Sequence, residues 1–415
     1  MTRHYYILFQ RYQCNTDRAV NVLFVNTSEK TGGAAIAAGR LRRALEKEGV
    51  QTALAVRSGK MGFYWERASI WFANHLSREG LFSVDIANWG EDITKTRQFQ
   101  EADIIHLHWV NQGFLSLKGL DKIFRSGKPV VWTMHDMWPV TGICHHARDC
   151  ERYFTECHDC PQLQTPSSGD LSRGVFCRKR EIYPHGRIAF VGCSSWIAGE
   201  AEKSALTTGH SITNIPNAID IDVFRPMDKC VARQRLGLPQ KQKLLLFCAQ
   251  KITNSRKGMQ YLVEACRKLS DEIGIMVLGG QADSVQMIKG KNVYPLKYVT
   301  DVNDVVQIYN AADVFVTPTL EDNLPNTVME AMACGVPCVG FDIGGVPEMI
   351  EHDVTGYVAS YKSADDLAQG ISKALATEWH ERFSEASREK VVNTYSEHVV
   401  AQRYIRLYNS LCQKH

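Results

Sequence analysis

The feature that most constrains the fold of this chain is a strand, a loop, a helix and a second strand in succession at 313–340. The continuous apolar run 313–317 has the length of a strand that is buried on both faces of a parallel sheet. Pro325 suits the first turn of a helix, because its φ is already helical and its missing N–H would have no partner there. Gly335 suits the end of that helix, since glycine readily adopts the left-handed conformation that stops helices. The pattern predicts a helix that starts at the carboxyl end of a parallel strand.

The loop and the first turns of this helix combine an anion site with carboxylates. Free N–H groups and the positive end of the helix dipole favour a phosphate at Asn326 and Thr327. Carboxylates do not bind phosphate, but Glu321, Asp322 and Glu330 can accept hydrogen bonds from the hydroxyls of a sugar and a ribose. The stretch therefore predicts a nucleotide-sugar site. The alternative is an ordinary strand–helix unit whose acids are solvated.

The stretch 319–340 resembles the C-terminal signature of retaining glycosyltransferases of family 4, of the polysaccharide-biosynthesis type. In that signature two acids with seven residues between them precede the letters AMACGxP, as Asp322 and Glu330 do here, with Asp where Glu is usual. The resemblance implies that the first acid holds a hydroxyl of the transferred sugar and that the second holds the ribose. Glu321 stands one residue too early and is the reserve for the first role.

The resemblance extends from residue 20 to the last residue and implies the GT-B fold, an α/β fold in which two doubly wound, Rossmann-like domains face each other across a cleft. A chain of 415 residues is long enough for two such domains. The last helix is expected to cross back to the first domain. We expect an N-terminal extension at 1–20, an acceptor-binding domain at 21–212, a nucleotide-sugar-binding domain at 213–392 and a crossover helix at 393–415.

Basic residues of the loop 250–258 are candidates for catalysis, because they stand where a predicted strand passes into a helix. Departure of a nucleoside diphosphate builds negative charge, and a fixed cation stabilises that transition state more than the ground state. Lys257 matches the Lys that does this in the resembled family. The usual Arg position holds no Arg here, so Arg256 or Lys251 must substitute. The alternative is a set of exposed cations without a role.

His135 is a further candidate for catalysis. It follows the predicted strand 130–134, at the strand end where α/β sheets bind ligands, and it precedes Asp136. The resemblance implies that the His of such a His-Asp pair reaches the transferred sugar. Gly33, at the first strand-to-helix turn, and Asn217, in the segment that links the two domains, are donor-binding candidates by resemblance. A plain tight turn is the alternative at Gly33.

The resemblance implies a hexosyltransferase that retains anomeric configuration and moves a sugar from a nucleotide-sugar donor to a saccharide or lipid-linked saccharide acceptor, in the synthesis of a cell-surface polysaccharide. It implies no cofactor for catalysis, since Lys257, a neighbouring cation and helix N–H groups can carry the charge of the leaving group. The alternatives are a catalytically inactive GT-B scaffold subunit, and a sugar-nucleotide epimerase or phosphorylase on the same fold. A Rossmann oxidoreductase is disfavoured because the chain lacks G-x-G-x-x-G.

Four of the thirteen cysteines form a pattern of their own. Cys144, Cys150, Cys157 and Cys160 are spaced C-x5-C-x6-C-x2-C, and the final pair has the spacing of half a zinc knuckle. A structural zinc held by these four thiolates would crosslink and stabilise an insertion beside the active site. The alternatives are free buried thiols or, in an oxidising compartment, two disulfides.

Two further segments carry charge beside apolar or loop-like sequence. Residues 60–89 mix aromatic with basic side chains, which we interpret as a helix core with solvated charges; an acceptor cleft and an interfacial membrane patch are the alternatives. The segment 167–185 is interpreted as a loop with a solvated basic run at 178–180, and contact with anionic lipid or pyrophosphate is the alternative.

The charge balance and the apolar runs limit which partners and which cellular location the sequence predicts. A net charge of +3, from 48 basic and 45 acidic residues, does not suggest nucleic-acid binding. No apolar run is long enough to predict a transmembrane helix, and the first 20 residues lack the apolar core of a signal peptide. We therefore expect a cytoplasmic protein, with peripheral contact at the inner membrane face as an open alternative.

Overall fold

The structure is a computed structural model that describes residues 20–78, 80–251, 254–280, 290–296, 299 and 301–413, without the side chains of Gln250 and Lys251. The predicted N-terminal extension therefore lies outside the described residues, except for Val20. The donor contact predicted for the Lys251 side chain lies outside them as well.

The chain divides into two compact units. The first unit ends at Ile215 and takes up the chain again from Ala401, whereas the second unit is Pro216–Val400. Each unit has its own six-stranded sheet and its own buried apolar core. The return of the last helix to the first unit is the arrangement expected from the sequence.

The described part of the first unit alternates strands with helices. Its elements are β1 (Asn21–Val25), α1 (Gly33–Lys47), β2 (Gln51–Ala55), α2 (Met61–Ala73), α3 (Arg97–Glu101), β3 (Ile104–Leu107), α4 (Leu117–Phe124), β4 (Val130–Met134), α5 (Leu171–Ile182), β5 (Ile188–Gly192), α6 (Ser195–Lys203) and β6 (Ser211–Asn214). The strands are parallel and lie in the order β2-β1-β3-β4-β5-β6. Every residue of β3, β4 and β5 is buried, as expected for continuous apolar runs in a parallel sheet.

The second unit repeats this architecture. Its elements are α7 (Lys229–Leu236), β7 (Leu244–Lys251), α8 (Met259–Cys266), β8 (Gly274–Gly280), β9 (Val293–Leu296), α9 (Val302–Ala311), β10 (Val314–Thr317), α10 (Asn326–Ala333), β11 (Cys338–Phe341), α11 (Val346–Met349), β12 (Gly356–Ala359), α12 (Ala364–Leu375) and α13 (Thr377–Thr394), and α14 (Glu397–Gln413) begins in it. The parallel strands lie in the order β12-β11-β10-β7-β8-β9. The predicted strand, helix and strand at 313–340 are confirmed as β10, α10 and β11.

Both sheets reverse their strand order at one place, and this place positions the candidate site. After β2 the chain returns past β1 to add β3, and after β9 it returns past β7 to add β10. Loops at the carboxyl ends of the two strands that flank such a reversal diverge and leave room for a ligand. Ligand-binding residues are therefore expected after β1 and β3, and after β7 and β10.

The interpretation of 167–185 as a loop is wrong. The segment contains α5, and Asp170 caps its start by accepting hydrogen bonds from two N–H groups of the first turn. Lys179, assigned to a solvated run, is fully buried. Its ammonium donates to the carbonyl oxygens of Trp138 and Thr141, which satisfy the buried charge.

The interpretation of 60–89 as a helix core with solvated charges is wrong for α2, although Lys60, His75 and Arg78 are exposed. Helix α2 turns large aromatic side chains to solvent and buries Glu66 and Arg67 instead. The reason is Asp85, a fully buried carboxylate that pairs with Arg67. Because Asp85 belongs to a later segment, the periodicity of the helix does not reveal which of its faces is inward.

Candidate functional site

One group of candidate residues lies at the carboxyl ends of β7 and β10, which are neighbours in the second sheet. The turn 254–257 follows β7, and the loop 318–325 follows β10. The N–H of Leu320 donates to the carbonyl oxygen of Arg256 over 2.7 Å, and the hydroxyl of Thr319 donates to the same oxygen over 3.2 Å. These contacts bring the predicted cations and acids to one edge of the sheet.

The two predicted cations whose side chains the structure describes here, Lys257 and Arg256, each lie beside one predicted acid. The ammonium of Lys257 donates to the carboxylate of Asp322 over 2.7 Å. The guanidinium of Arg256 lies 3.9 Å from Glu321, and 45% of its side chain is exposed. The first contact is a hydrogen-bonded ion pair, whereas the second is too long for a hydrogen bond. Of these two cations, Lys257 is therefore the one held by a hydrogen bond to an acid.

Gly258 sets the path of the chain directly after Lys257. Its φ is +70°, and a Cβ at this position would overlap the carbonyl oxygen of Pro318. Glycine alone suits both the left-handed conformation and this close approach of two backbones. The Lys-Gly pair thus lets the turn lie against the loop that carries Asp322.

Glu330 lies in the second turn of α10 and is buried. Its carboxylate accepts a hydrogen bond from the hydroxyl of Tyr309 over 2.8 Å. Burial, and after it the charge of Glu330, holds the pKa of Tyr309 well above its ordinary value. The same two causes raise the pKa of Cys248 in β7. Glu330, the residue predicted to hold the ribose, therefore lies beside the strand that leads to Lys257.

The start of α10 holds three further donor-binding candidates. Asn326 and Thr327 are the first two residues of the helix and are half-buried. The amide of Asn217 donates to Oδ1 of Asn326 over 3.4 Å. The N-cap residue Pro325 makes no side-chain cap at this helix start, and the first turn of a helix presents N–H groups of the kind that bind anions. The three predicted residues thus stand together beside the loop of Asp322.

In the first unit, His135 follows β4 and makes one polar contact with a neighbouring strand end. Its Nε2 lies 3.0 Å from Nδ1 of His108, and the two rings stack with centroids 5.3 Å apart. Burial lowers the pKa of His135 to about 4, against the opposing charge of Asp136. Burial also holds the pKa of His108 well below its ordinary value. Both imidazoles are therefore neutral at neutral pH.

A chain of polar groups continues from His108 into the unit. The ring of His108 packs 4.2 Å from that of His106. Nε2 of His106 lies 2.8 Å from the hydroxyl of Thr133, and its Nδ1 lies 2.7 Å from the hydroxyl of Tyr408. Tyr408 belongs to the part of α14 that lies in the first unit. The last helix of the chain thus supports the strand ends that present His108 and His135.

Asp136 belongs to a buried charge network that the sequence does not reveal. The two ring nitrogens of His145 lie 2.7 Å from Asp136 and 2.7 Å from Asp85. Burial alone would lower the pKa of His145, but the two carboxylates raise it to about 10. Burial would raise the pKa of Asp136, but His145 lowers it to about 2. A buried imidazolium between two carboxylates therefore fixes the segment that carries His135.

Gly33 is the first residue of α1, at the carboxyl end of β1. Gly32 precedes it with a φ of +94°. In the loop between β1 and α1, the N–H of Thr27 donates to the carbonyl oxygen of Trp109, which follows β3, over 2.7 Å. Gly33 therefore lies where the strand order of the first sheet reverses, and its donor contact stays a prediction.

The four cysteines of the zinc prediction line one small cavity of about 20 Å³ in the first unit. Burial is the main cause that raises the pKa of Cys157 to about 12 and that of Cys160 to about 11, so both are protonated thiols. Among the described residues, no three His, Cys, Asp or Glu side chains are placed to hold a metal ion. Zinc prefers such thiol donors, but it would have to deprotonate them and draw them together. Structural zinc stays a prediction.

A second cavity, of about 500 Å³, lies at the ends of β11 and β12 in the second unit. Neither it nor the cysteine cavity is lined by His135, Lys257 or Glu330. The candidate residues of the second unit are connected by direct contacts at the carboxyl ends of β7 and β10, whereas His135 follows β4, the neighbour of β3 in the first sheet.

Two protein-family models match the chain. The model described as Glycosyltransferase Family 4 matches residues 31–223, and the model described as Glycosyl transferases group 1 matches residues 242–377. The first match contains His135, and the second contains Lys257, Asp322 and Glu330. The two groups of candidate residues thus fall in two consecutive glycosyltransferase regions.

Curated relatives are similar at lower coverage. N-acetyl-alpha-D-glucosaminyl L-malate synthase of Bacillus anthracis is 26% identical over 206 residues, which are 48% of this chain and 53% of that protein. A putative colanic acid biosynthesis glycosyl transferase, WcaC of Escherichia coli K12, is 25% identical over 325 residues, which are 74% of this chain and 76% of that protein. The chain thus matches about half of the first relative's length and three quarters of the second's.

Solved structures match nearly the whole chain. Sucrose-phosphate synthase from Thermosynechococcus elongatus superposes with a TM-score of 0.68 at 17% identity, over 94% of this chain and 99% of that one. Anabaena HepE, solved in complex with UDP-glucose, superposes with a TM-score of 0.60 at 15% identity over the same shares. At these identities the likeness shows the fold. With its two parallel-sheet units, this chain has the GT-B fold, and two consecutive regions of it are similar to glycosyltransferase family models.

Proposed function

We propose that this protein transfers a sugar from a nucleotide-sugar donor to a saccharide acceptor and retains the anomeric configuration of that sugar. The observation that carries the proposal is the ion pair of Lys257 and Asp322 at the carboxyl ends of β7 and β10, with Glu330 in the second turn of the helix that follows the loop of Asp322. One cation, two acids and a helix start at a strand-order reversal suit a ligand with a diphosphate and two sets of hydroxyls.

Each residue of this group has a distinct role in the proposal. The start of α10 and Lys257 bind the diphosphate, because both present positive charge or N–H groups. Asp322 orients Lys257 through their hydrogen bond and accepts a hydrogen bond from a hydroxyl of the transferred sugar. Glu321 is the reserve for this contact with the sugar. Glu330 accepts a hydrogen bond from Tyr309 and, in this proposal, also one from a hydroxyl of the ribose.

The proposed reaction exchanges one bond at the anomeric carbon for another. The bond from this carbon to the diphosphate oxygen breaks, and the oxygen of an acceptor hydroxyl bonds to the same carbon from the same face. The hydroxyl proton goes to the departing phosphate oxygen. Lys257, together with Arg256 or Lys251, stabilises the charge that develops on the diphosphate. His135, neutral at neutral pH, contacts the transferred sugar through a hydrogen bond.

The names of relatives support the two substrate classes. HepE of the same fold is solved with UDP-glucose, which is a nucleotide sugar. The relative WcaC is named for colanic acid biosynthesis, and colanic acid is a polysaccharide. We therefore propose a hexose donor and a saccharide or lipid-linked acceptor, in cell-surface polysaccharide synthesis at the cytoplasmic side of the membrane.

The first experiment screens sugar nucleotides with different bases and sugars for thermal stabilisation of the full chain. A bound donor raises the unfolding temperature, since it binds the folded state alone. The stabilising compound is then incubated without an acceptor, and its hydrolysis products are identified. We expect slow release of the free sugar and the nucleoside diphosphate, with the sugar released in the donor's anomeric configuration.

The same assay separates the rival functions. An epimerase would return a second sugar nucleotide, and a phosphorylase would need inorganic phosphate before it released a sugar phosphate. A scaffold subunit would be stabilised by no sugar nucleotide and would cleave none. Any of these three results would contradict the proposed transferase.

A further inference from the structure

Residues 135–170 connect β4 to α5 without an α-helix or a strand of the sheet. Two short 3-10 turns, Trp138–Val140 and Arg152–Phe154, are the regular structure that this segment has. Connections longer than about 12–15 residues without structure of their own are uncommon in compact domains. Side-chain contacts or a bound group must therefore hold this segment in place.

The four cysteines of this segment form one cluster. Cys144, Cys150, Cys157 and Cys160 line the same cavity of about 20 Å³. Each thiol is close enough to the other three for its charge to affect them. A cavity of this size holds one water-sized occupant, and thiols are weak hydrogen-bonding partners for a water molecule. Four sulfur-bearing side chains around a space of this size suit a single thiophilic metal ion.

Two of the four sulfurs have surroundings that favour a thiolate. The N–H of Gly142 donates to Sγ of Cys157 over 3.2 Å. The backbone of Gln162 makes a hydrogen bond to Cys160. A hydrogen bond that is donated to a charged group favours its charged form. Cys157 and Cys160 are also the C-x2-C pair, so the spacing and the hydrogen bonds indicate the same two ligands.

A buried cation lies close to the same cluster. The ammonium of Lys179 donates to the carbonyl oxygens of Trp138 and Thr141, over 2.5 Å and 3.0 Å, and lies 3.3 Å from the centre of the Trp138 ring. These partners are neutral, and the charged forms of Cys157 and then Cys144 are the groups that most favour the ammonium. One Zn²⁺ with four thiolates has two negative charges in excess, and a buried charge needs a counter-charge. Lys179 lies where it can provide one.

The lining of the cavity also limits which ligands and which metal fit. His158 lines the cavity as well, but its Nδ1 lies 2.7 Å from Asp159 and 39% of its side chain is exposed. The four sulfurs are therefore the better ligand set. Four sulfur ligands are typical of zinc and of iron–sulfur centres, and the cavity has no room for a cluster of several iron and sulfide ions.

We propose that Cys144, Cys150, Cys157 and Cys160 bind one Zn²⁺ as thiolates, and that Lys179 balances the charge of this site. Binding releases four thiol protons as four zinc–sulfur bonds form. Because the described side chains are not yet placed to hold an ion, binding also draws the sulfurs toward the centre of the cavity. The proposal concerns the first unit alone and does not depend on the proposed transferase activity.

The ion would fix the segment that carries His145. Cys144 precedes His145 in the chain, and its backbone pairs with that of Val84 in an isolated β-bridge. Zn²⁺ joins this anchored residue to the loops that carry the other three cysteines. A structural metal of this kind replaces the helices and strands that the segment lacks.

The first test measures the zinc content of the full chain after purification under reducing conditions without chelator. We expect one zinc per chain, and affinity on the order of tenfold or more weaker in Cys157→Ser and in Cys160→Ser, measured by competition with a chromogenic chelator. The matched controls lie in the second unit: Cys266→Ala changes a buried thiol, and Cys230→Ser changes an exposed one. Both controls should bind zinc as the unchanged chain does.

The role of Lys179 is tested by Lys179→Met, which keeps the length of the side chain and removes its charge. We expect zinc affinity to fall about tenfold, because groups that support metal ligands have effects of this size. Arg178→Met is the control, since Arg178 is the neighbouring cation on α5 and is exposed. It should leave zinc affinity unchanged.

Two measurements on the unchanged chain keep the proposal testable if a variant does not fold. Removal of the metal by a chelator should lower the unfolding temperature, because the ion binds the folded state. Cobalt in place of zinc should give the intense thiolate-to-cobalt absorption and the visible bands of a tetrahedral site with sulfur ligands.

Any of four results would overturn the proposal. They are a reduced chain that binds no zinc, zinc binding that folded Cys157→Ser and Cys160→Ser leave unchanged, a cobalt spectrum without thiolate bands, and iron in place of zinc. Titration of the denatured chain distinguishes the first result from disulfide formation. Thirteen free thiols are expected, whereas two disulfides in the cluster would leave nine and would also contradict the site. No sugar nucleotide is present in these assays, so their outcome is independent of the transferase tests.

Discussion

His108 determines which ring nitrogen of His135 carries the proton. Nε2 of His108 is buried and has no hydrogen-bond partner among the described residues. A buried N–H without an acceptor is rarer in proteins than an unused lone pair, so the proton of His108 belongs on Nδ1. Nδ1–H then donates to Nε2 of His135. His135 must therefore carry its own proton on Nδ1 and can donate it in a hydrogen bond to a sugar hydroxyl.

We predict that His108→Phe slows transfer on the order of tenfold, because His135 loses the donor that fixes its tautomer and orientation. His108→Asn places an amide N–H near the former Nδ1 and should recover most of the rate. The tautomer itself is measured by 15N NMR of the His135 ring, which should change in the Phe variant and be kept in the Asn variant. Equal rates and equal spectra for the two variants would contradict the role of His108.

The charge network of His145 gives a pH dependence with a defined sign. The pKa of His145 is raised from 6.5 to about 10 in the folded protein by Asp136 and Asp85, against burial. Its stabilising effect is therefore complete below about pH 6.5 and is lost as the pH rises through about 10. Removal of one partner from a buried ionic group costs about 3–5 kcal/mol.

We predict that His145→Gln lowers the free energy of unfolding by about that amount at pH 6 to 7. The difference between the unchanged chain and the variant should shrink as the pH approaches 10, since neutral His145 no longer stabilises the two carboxylates. Denaturant unfolding of both proteins from pH 6 to 10.5 measures this difference in free energy. Contributions from groups that titrate in both proteins cancel in the difference. A difference that stays constant over this range would mean that His145 is not charged in the folded state.

At the scale of elements, the turn between β7 and α8 depends on Gly258. A second glycine, Gly237, ends α7 with a similar φ of +65°, but a Cβ there would meet nothing within 4 Å. Both Gly258→Ala and Gly237→Ala introduce left-handed strain of about 1 kcal/mol. Alanine at 258 alone would also push the turn away from Pro318 and move Lys257 from Asp322.

We predict that Gly258→Ala weakens donor binding and lowers the unfolding temperature more than Gly237→Ala does. Thermal unfolding with and without the donor measures both effects on the same samples. If the two alanine variants lost the same stability and the same donor stabilisation, the close approach at Pro318 would not shape the site.

The elements that the sequence predicts well are those with local signals. The apolar run at β10, Pro325 before α10 and Gly335 after it all act within a few residues, so the strand and helix could be placed. Lys257 and Asp322 could be assigned to the same edge of the sheet, because parallel strands bring their carboxyl ends together. Local signals are sufficient in these cases because the neighbours that matter are close in the chain.

What the sequence does not reveal depends on partners distant in the chain. The inward turn of Glu66 and Arg67 depends on 84–87, and the burial of Lys179 depends on carbonyl groups near 140. His145 is a charged centre because folding brings Asp85 and Asp136 to its two ring nitrogens. Periodicity identifies two faces of a helix, but the tertiary partners of the polar side chains decide which face is inward.

At the scale of the whole molecule, the two units share one architecture and differ in what their strand ends present. In the first sheet, Gly33 follows the reversal, and His106 of β3 and His108 directly after it lie beside it, whereas the reversal in the second sheet presents a cation, acids and a helix start. Transfer needs a site for a charged leaving group, and the second unit alone gathers cation, acids and helix start at one edge in the described part of the chain. We therefore propose that the donor binds to the second unit.

The measurement that tests this account most directly compares Glu330→Ala with Lys257→Ala, using the donor found in the thermal screen. Calorimetry gives the donor Kd and steady-state kinetics give kcat for each variant. We predict that Glu330→Ala raises Kd about tenfold or more with a smaller change in kcat, since it removes a ground-state contact. Lys257→Ala should lower kcat on the order of a hundredfold with a smaller change in Kd, since its cation acts on charge that develops in the transition state. Small and equal effects of both substitutions on Kd and kcat would contradict the account.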